Sequence, residues 1–419
     1  MKAVIFSIGT EHLAGKITDT NAPLICRNLK NLGIEIIKRC TLADNRETIS
    51  RKIKSLLTET DIIITIAGLG PTHDDLTREA VSDALQKKLV YKPEIWEKIK
   101  QRFKTFHKEP TPNNKKQAYI LEKGSWFNNK LGTAPGLSAI DEKTKTIVYL
   151  LPGPPRELEY LLNNYLLPDL KKKMNMHNSF YHEIFRVYGV GEGEISWLLK
   201  DLTEKNSEID FGIYSKSEGY IELDFTFKNR LSNNVQAEAE WFEFIKNIKN
   251  FLQQNQFTYT GNNEIAELTG SLLLEKKLML GVAESITGGN IMSSLVQIPG
   301  CSQYLCGGAV TYSNELKISL LNVKTETLRN HGAVSPECAR QMTDGLLSKL
   351  NCDIGLSVTG IAGPTGGSQQ KPIGLVYIST GNQDHIETSK HIFSGHRKRI
   401  ISKATNQALL CLYKFLLKK

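Results

Sequence analysis

Short apolar runs alternate with stretches of helical periodicity from the first residue to about residue 170, which is typical of an α/β domain built on a parallel sheet. The apolar runs predict strands at 3–8, 34–40, 62–66 and 147–151. Between the first two, residues 21–32 place apolar side chains at helical spacing, and Gly33 follows the last of them, as glycine often does at a helix end. Polar loops follow these strands, and open α/β sheets bind ligands at that edge.

The pattern changes between about residues 175 and 256. A strand at 180–188, a glycine-rich turn, an alternating strand at 220–227 and a long helix at 234–253 predict a small α+β connector. Glycine and asparagine then crowd into residues 259–263, which indicates a linker.

The last part of the chain alternates again. Its predicted strands lie at 278–283, 308–312 and 354–358, with helices between them and a terminal helix after Arg399. We therefore predict two parallel-sheet α/β domains, at 1–172 and 258–419, joined by the connector at 173–257.

Composition places the chain among ordinary globular proteins, because hydrophobic residues make up 40% and charged residues 23% of its 419 positions. No apolar run approaches the ~18 residues that span a bilayer, and the first apolar stretch is too short for a signal-peptide core. The seven cysteines form no C-x-x-C pair, so we expect a cytoplasmic protein without structural zinc. The net charge of +9 suits nucleic acid or acidic substrates, but the cations are mostly scattered, which favours a solvated surface.

One serine in the last domain has the position of a nucleophile. Ser285 follows a predicted strand and precedes a helix, beside the positive end of that helix. The alternative is an N-cap serine. Lys317 lies about one turn into another helix, and a desolvated lysine can act as the base that activates a serine. Tyr312, at the end of the preceding strand, is placed to relay the proton or to orient the amine.

A glycine-rich loop follows the buried strand at 354–358. Its backbone N–H groups are suited to an oxyanion or a phosphate, although a plain turn is the alternative. Arg397 is a candidate partner for a substrate phosphate, with a solvated cation as the alternative.

The polar loops of the first domain carry four aspartates: Asp19, Asp44, Asp74 and Asp75. Hard divalent ions such as Mg²⁺ take oxygen ligands and commonly bind one or two carboxylates together with substrate phosphates. This predicts metal-assisted phosphate chemistry. The alternative is that Asp74 and Asp75 cap the helix that begins near Leu76.

Long ordered motifs run through both outer domains. They occupy residues 9–11, 19–21, 68–77, 112–114, 132–136 and 151–157 in the first domain, and 283–285, 310–315, 331–335 and 360–364 in the last. Through these motifs the chain resembles the bacterial CinA family, named for competence and damage induction. The first domain resembles the family's molybdopterin-binding-like domain, the connector its KH-like segment, and the last domain its nicotinamide mononucleotide amidohydrolase.

The resemblance implies a deamidase that hydrolyses nicotinamide mononucleotide to nicotinate mononucleotide and ammonia. Ser285 would be the nucleophile, Lys317 the base and Tyr312 its helper. The expected substrate-binding residues are Thr287, Gly288, Thr359, Gly360, Gly363 and Arg397. Family members often carry a second arginine where this chain has Ile401, and Lys398, Arg399 or Lys403 would then supply the charge.

The resemblance also implies a metal-dependent ADP-ribose pyrophosphatase in the first domain, with a divalent metal such as Mg²⁺ held by the four aspartates. The deamidase domain is expected to need no cofactor. The expected partners are small nucleotides, without membrane or nucleic acid, and the expected assembly is a homodimer.

Two other interpretations come from different functional classes. The first domain alone suggests a molybdopterin-type binding protein. The charge and the KH-like connector suggest a competence factor associated with nucleic acid, but the turn at 189–194 carries two glutamates and no G-x-x-G clamp with basic flanks.

Overall fold

The computed structural model describes residues 1–174, 181–227 and 235–418, and the chain divides into two compact units. The first comprises residues 1–174, and the second comprises 181–227 and 236–418. Phe180 and Asn234, where the sequence predicts the starts of a strand and a helix, lie outside the described residues. None of the described helices is long and apolar enough to cross a membrane.

The first unit is built on a six-stranded sheet flanked by helices. The strands of this unit are β1 (Lys2–Ile8), β2 (Glu35–Leu42), β3 (Ile62–Ile66), β4 (Leu89–Tyr91), β5 (Tyr119–Leu121), β6 (Ser125–Phe127), β7 (Gly136–Ile140) and β8 (Ile147–Leu151). Its helices are α1 (Thr10–Leu13), α2 (Asn21–Lys30), α3 (Arg46–Leu56), α4 (Thr77–Leu85), α5 (Pro93–Thr105), α6 (Pro155–Leu161) and α7 (Leu167–Lys173), with a 3-10 helix at Pro112–Ala118 and a π-helix at Leu162–Leu166.

The sheet of the first unit has the strand order β2-β1-β3-β8-β7-β6. The first four strands are parallel, β7 pairs antiparallel with β8, and β6 pairs antiparallel with β7. β3 is buried along its whole length, because apolar clusters cover both faces of the sheet. The carboxyl ends of the parallel strands therefore open onto one edge, where their loops gather.

The second unit contains the connector and the last domain. The connector comprises β9 (His182–Tyr188), α8 (Glu192–Glu204), β10 (Ile209–Ser215), β11 (Tyr220–Phe227), α9 (Val235–Gln254) and β12 (Thr258–Thr260). Its antiparallel sheet has the order β10-β11-β9-β12, which makes it an α+β element.

The last domain has a five-stranded sheet in the order β14-β13-β15-β16-β17. Its strands are β13 (Leu280–Glu284), β14 (Leu305–Val310), β15 (Ile354–Gly360), β16 (Leu375–Gly381) and β17 (Ile386–Ile392). Its helices are α10 (Ile265–Lys276), α11 (Asn290–Val296), α12 (Asn314–Leu321), α13 (Thr325–His331), α14 (Pro336–Lys349) and α15 (Arg397–Leu417), with a 3-10 helix at Cys301–Gln303. The first three strands are parallel, so β13, β14 and β15 end at one edge.

The predicted α/β class with sheets of parallel strands is confirmed. The sequence prediction lacked β4 to β7, β10, β12, β16 and β17, and the predicted linker at 259–263 overlaps the end of β12. β17 is a partly exposed edge strand with polar residues, which weakens its β pattern. The prediction that Tyr312 ends a strand was wrong by two residues, because β14 stops at Val310 and Ser313 already caps α12.

We expect Gly345→Ala to destabilise the second unit, although alanine normally favours a helix over glycine. A Cβ at Gly345 in α14 would lie 2.0 Å from the carbonyl oxygen of Leu321, so the backbone must shift. Overpacking of this kind costs about 1–3 kcal/mol. Thermal and urea unfolding followed by circular dichroism measure the change.

Gly193→Ala in α8 is the matched control, because a Cβ there meets nothing within 4 Å. We expect Gly193→Ala to be neutral or slightly stabilising. Equal unfolding midpoints for the wild type and Gly345→Ala would contradict the prediction.

Candidate active site

Ser285 lies in a tight turn that connects β13 to α11. Its amide donates to the carbonyl of Val358 at 3.0 Å, which ties the turn to β15. Gly288 and Gly289 follow with φ of 60° and 99°, in the left-handed region that favours glycine. The sequence therefore places a serine at the end of a buried strand and reverses the chain within a few residues.

Glu284, which the sequence prediction did not assign, organises this turn. Its side chain is completely buried, and its carboxylate accepts hydrogen bonds from the amides of Gly289 (2.9 Å), Ile291 (3.2 Å) and Met292 (2.9 Å). A carboxylate at a helix N-terminus satisfies otherwise unpaired donors. Ser285 is consequently not the cap of α11, and its hydroxyl is available for chemistry. An acidic residue at the end of an apolar strand was the available sequence signal.

Lys317 reaches Ser285 from α12. Its ammonium group donates to the Ser285 hydroxyl at 3.1 Å and to the Thr311 carbonyl at 2.6 Å. The lysine side chain is 1% exposed, and among the described residues no carboxylate pairs with it. Burial therefore lowers the pKa of Lys317. The structure thus places the Ser285 hydroxyl within hydrogen-bond distance of a lysine whose pKa is lowered.

The buried thiol of Cys338 does not compensate this charge. Burial raises the pKa of Cys338 to about 11, so the thiol is neutral at physiological pH. Lys317 thus lacks an anionic neighbour, which favours its neutral amine form.

Tyr312 is associated with Arg397. Its side chain is 63% exposed, and its hydroxyl accepts a hydrogen bond from the Arg397 guanidinium at 3.1 Å. Arg397 also donates to the carbonyl of Gly363 at 2.8 Å. In the part of the chain that the structure describes, the Tyr312 hydroxyl makes no hydrogen bond to Lys317, so its role as a helper of the base stays a prediction.

The other predicted substrate residues have different local roles. The hydroxyl of buried Thr359 donates to the Ala333 carbonyl at 2.8 Å and so holds a neighbouring loop. A Cβ at Gly360 would lie 2.7 Å from a carbonyl of β16, so this glycine permits close strand packing. Thr287 is buried, and the Gly288 amide donates to the Ser285 carbonyl at 3.2 Å. Both therefore shape the turn around Ser285.

Two of the four aspartates in the first unit lie apart from the others in their own networks. Asp19 accepts from the hydroxyl of Ser7 at 2.6 Å and from the amides of Asn21 and Ala22 at 3.0 Å each. Burial acts to raise the pKa of Asp19, but these hydrogen bonds and the Arg39 guanidinium outweigh it, so the pKa is lowered. Asp44 accepts from the amide of Thr10 at 2.8 Å.

Asp74 and Asp75 converge on Thr72. The Thr72 hydroxyl donates to both carboxylates, at 2.6 Å for Asp75, and this bonding lowers the pKa of Asp74. Lys116 closes the loop by donating to the carbonyls of Thr72 and Asp75 at 2.8 and 2.7 Å. Neither carboxylate caps α4, so the capping alternative is wrong.

The four aspartates do not form one metal site by themselves. Within residues 1–174, 181–227 and 235–418, no group of three or more histidine, cysteine, aspartate or glutamate side chains could hold a metal ion. The Asp74 and Asp75 pair still fits an ion that takes one or two carboxylates and completes its shell with water and phosphate.

Comparison with known proteins gives two family matches and relatives that span the whole chain. Residues 262–416 match the model described as "CinA C-terminal domain", and residues 4–172 match "Probable molybdopterin binding domain". The CinA-like protein of Thermotoga maritima is 37% identical over 417 residues, which are 99% of this chain and 98% of that protein. A competence-damage inducible protein of Clostridium acetobutylicum is 36% identical and covers 98% of both chains.

A solved structure matches a smaller part of the chain. The crystal structure of a CinA superfamily protein from Klebsiella pneumoniae is 32% identical, covers 38% of this chain and 100% of that one, and has a TM-score of 0.36.

The lowered pKa of Lys317 predicts a pH dependence of stability. At pH values between the lowered pKa of folded Lys317 and the ordinary lysine pKa of 10.5, the unfolded chain binds more protons at this side chain than the folded protein does. The free energy of unfolding therefore rises with pH in that window, by at most ~1.4 kcal/mol per pH unit. Urea unfolding of the wild type and Lys317→Met from pH 7 to 10 measures this, and the difference between them is expected to shift in favour of the wild type as the pH rises.

Lys349→Met, at an exposed lysine of α14, is the control and should keep the pH dependence of the wild type. Parallel pH profiles for the wild type and Lys317→Met would show that Lys317 keeps an ordinary pKa.

Proposed function

The chain belongs to the CinA family, and on that premise we propose that its last domain is an amidohydrolase that converts nicotinamide mononucleotide to nicotinate mononucleotide and ammonia. One observation carries this proposal: the buried Lys317 amine lies 3.1 Å from the Ser285 hydroxyl without an anionic partner among the described residues. A serine needs a neighbouring base to become a nucleophile, and a desolvated lysine supplies one.

The proposed amide hydrolysis uses Ser285 as the nucleophile and Lys317 as the base. Neutral Lys317 takes the proton of Ser285 as Oγ attacks the carboxamide carbon. The tetrahedral intermediate collapses when the C–N bond breaks, and the lysine returns the proton to the leaving ammonia. Water then attacks the acyl ester, with Lys317 again as the base, and releases the carboxylate product and the free serine.

Backbone donors in the turn are available for the developing oxyanion. The Glu284 carboxylate already accepts hydrogen bonds from amides at the start of α11. The N-terminus of this helix therefore has fewer free N–H donors for an oxyanion than the sequence suggests. The amides of Ile286 and Thr287 have no acceptor in the described part of the chain and are the donors that remain in this turn. Donors fixed in advance near the reacting carbon are an effective catalytic element.

Arg397 is suited to the phosphate of the mononucleotide. Its guanidinium donates hydrogen bonds to the Gly363 carbonyl and the Tyr312 hydroxyl. Gly363 lies in the glycine-rich loop after β15, and Tyr312 shortly precedes α12, the helix that carries Lys317. Arginine binds phosphate in a directional, often bidentate manner. Tyr312 would then position the arginine, in addition to any help it gives Lys317.

For the first domain we propose a metal-dependent pyrophosphatase acting on ADP-ribose, supported by the convergence of Asp74 and Asp75 on one threonine. A divalent cation such as Mg²⁺ would be held by these two carboxylates and would neutralise phosphate charge when bound. Lys116 fixes the loop that carries them. Asp19 is engaged by Ser7 and backbone amides and contributes to loop structure in this proposal.

A molybdopterin-type binding protein is the alternative for this domain, because the matched family model carries that description. Turnover of ADP-ribose separates the two, since a binding protein releases no product.

Ser285→Ala is expected to reduce ammonia release from nicotinamide mononucleotide by several orders of magnitude, as loss of a nucleophile does. A coupled ammonia assay on the full chain measures kcat and KM, with circular dichroism to verify folding. Ser319→Ala, at an exposed position of α12, is the matched control and should retain full activity. An active Ser285→Ala protein would refute the assignment of the nucleophile.

Asp74→Asn combined with Asp75→Asn is expected to lower Mg²⁺-dependent AMP release from ADP-ribose at least roughly tenfold, because the metal loses its carboxylate ligands. Chromatography of the products, with and without a chelator, measures this. Asp83→Asn, which breaks an exposed ion pair with Arg46, is the control. Product formation that survives both the substitutions and the chelator would contradict the proposal.

A further inference from the structure

A cavity of about 210 Å³ lies in the first unit between α5 and the loop of residues 128–135, which joins β6 to β7. Leu137 of β7 pairs with Leu150 of β8, so β7 begins at the edge of the sheet where β8 ends. The loop therefore stands at the edge where open α/β sheets bind ligands. Asp74 and Asp75 are not among the residues that line this cavity.

The charged residues that line the cavity are all cations: Lys98 and Arg102 from α5, and Lys130 from the loop. Lys98 and Arg102 are four positions apart on one helix, a spacing at which like charges repel. Within the described residues none of the three forms an ion pair, whereas the neighbouring Lys100 pairs with Glu97 at 2.5 Å. A bound anion would offset this concentrated positive charge.

Arg102 is held at the cavity wall and keeps an unused donor. Its Nη2 donates to the Leu131 carbonyl at 2.7 Å, and its guanidinium carbon lies 4.8 Å from the centre of the Phe106 ring. Its Nε is buried, and no acceptor for it exists in the part of the chain that the structure describes. A buried donor without an acceptor is unfavourable, and such groups often meet an ion or a ligand.

Glu157 contacts the loop without neutralising the cavity. The Arg102 charge acts on this carboxylate from beyond ion-pair distance, and Glu157 is not among the lining residues. Its carboxylate accepts from the side-chain amide of Asn129 at 2.6 Å. The Asn129 side chain also accepts from the amides of Leu131 and Gly132 at 3.0 Å each, which fixes the loop in advance of binding.

The rest of the lining limits the kind of anion. Buried Ile95 and Ile99 and the partly buried Trp126 provide an apolar surface. An indole face packs well against a sugar or a planar ring. Since drug-sized ligands take cavities of roughly 300–1,000 Å³, this smaller space suits one phosphate with a small organic group.

We infer that this cavity is a binding site for a phosphate monoester, whose phosphate is held by Lys98, Arg102 and Lys130 and whose organic group lies beside Trp126. The site needs no divalent metal, because its charge is already positive. The inference goes beyond the proposed pyrophosphatase and stands without turnover in the first domain. AMP and ribose 5-phosphate, the products of that proposed reaction, are ligands of this class.

Calorimetric titration of the full chain with AMP, ribose 5-phosphate and adenosine tests the site. The protein carries Arg397→Gln, which removes the phosphate partner proposed for the last domain. A chelator keeps Asp74 and Asp75 free of divalent metal, and about 150 mM salt screens diffuse attraction. Both phosphates are expected to bind at least roughly tenfold more tightly than adenosine, which lacks the charge.

Lys98→Met combined with Lys130→Met removes two exposed cations and is expected to weaken AMP binding at least roughly tenfold. Arg102→Met should have a similar effect, and the double lysine variant decides the matter if loss of the Leu131 contact prevents folding. Lys104→Met combined with Lys108→Met removes the same charge from exposed positions outside the lining and should keep the affinity.

Fluorine NMR of the chain labelled with 5-fluorotryptophan locates the ligand, because there are only four tryptophans. Trp126→Phe assigns the Trp126 signal, which AMP is expected to shift while the Trp197 and Trp241 signals of the connector stay in place. An unmoved Trp126 signal, equal affinity for adenosine, or unchanged affinity in the double lysine variant would overturn the inference. A chain that does not cleave ADP-ribose would refute the pyrophosphatase alone, since these measurements require no turnover.

Discussion

The candidate active site depends on the burial of one lysine without an anionic partner. Lys317 is removed from water, its hydrogen-bond partners are a hydroxyl and a carbonyl, and the neighbouring thiol of Cys338 is neutral. Charging an amine in such a place costs free energy, so the fold favours the neutral form that can accept a proton. The apolar packing of the domain offsets this cost, including the cluster that contains Leu321 of the same helix and Cys338.

The parallel strands are what bring the serine and the lysine together. β13 and β14 are neighbours and end at the same edge, so the turn after β13 and the helix after β14 meet although Ser285 and Lys317 are 32 positions apart. Glu284 completes the arrangement, because its buried carboxylate occupies the first amides of α11 and frees Ser285 from a capping role. In the first unit, the loops that follow the strands carry aspartates. Its aspartates stabilise their own loops, and Asp74 and Asp75 alone converge on one residue, Thr72.

The connector is more than a spacer in this arrangement. Its hairpin packs on α15 through a glycine that approaches Lys403, and the same hairpin carries Glu218 to a cavity beside Arg397. Residues almost 180 positions apart in the chain therefore meet at this cavity.

The sequence by itself determined the α/β class, the parallel strands β1, β3 and β8, and the pairing of Ser285 with Lys317 as candidates, because apolar periodicity and strand-to-helix junctions are local signals. It did not reveal β16 and β17, the capping role of Glu284, the contact of Tyr312 with Arg397, or the presence of Glu218 at the cavity. Each of these depends on residues that are distant in the chain and meet only after folding. Local pattern specifies which elements form, whereas the burial that lowers the pKa of Lys317 and the charges that face a ligand are properties of the packed tertiary structure.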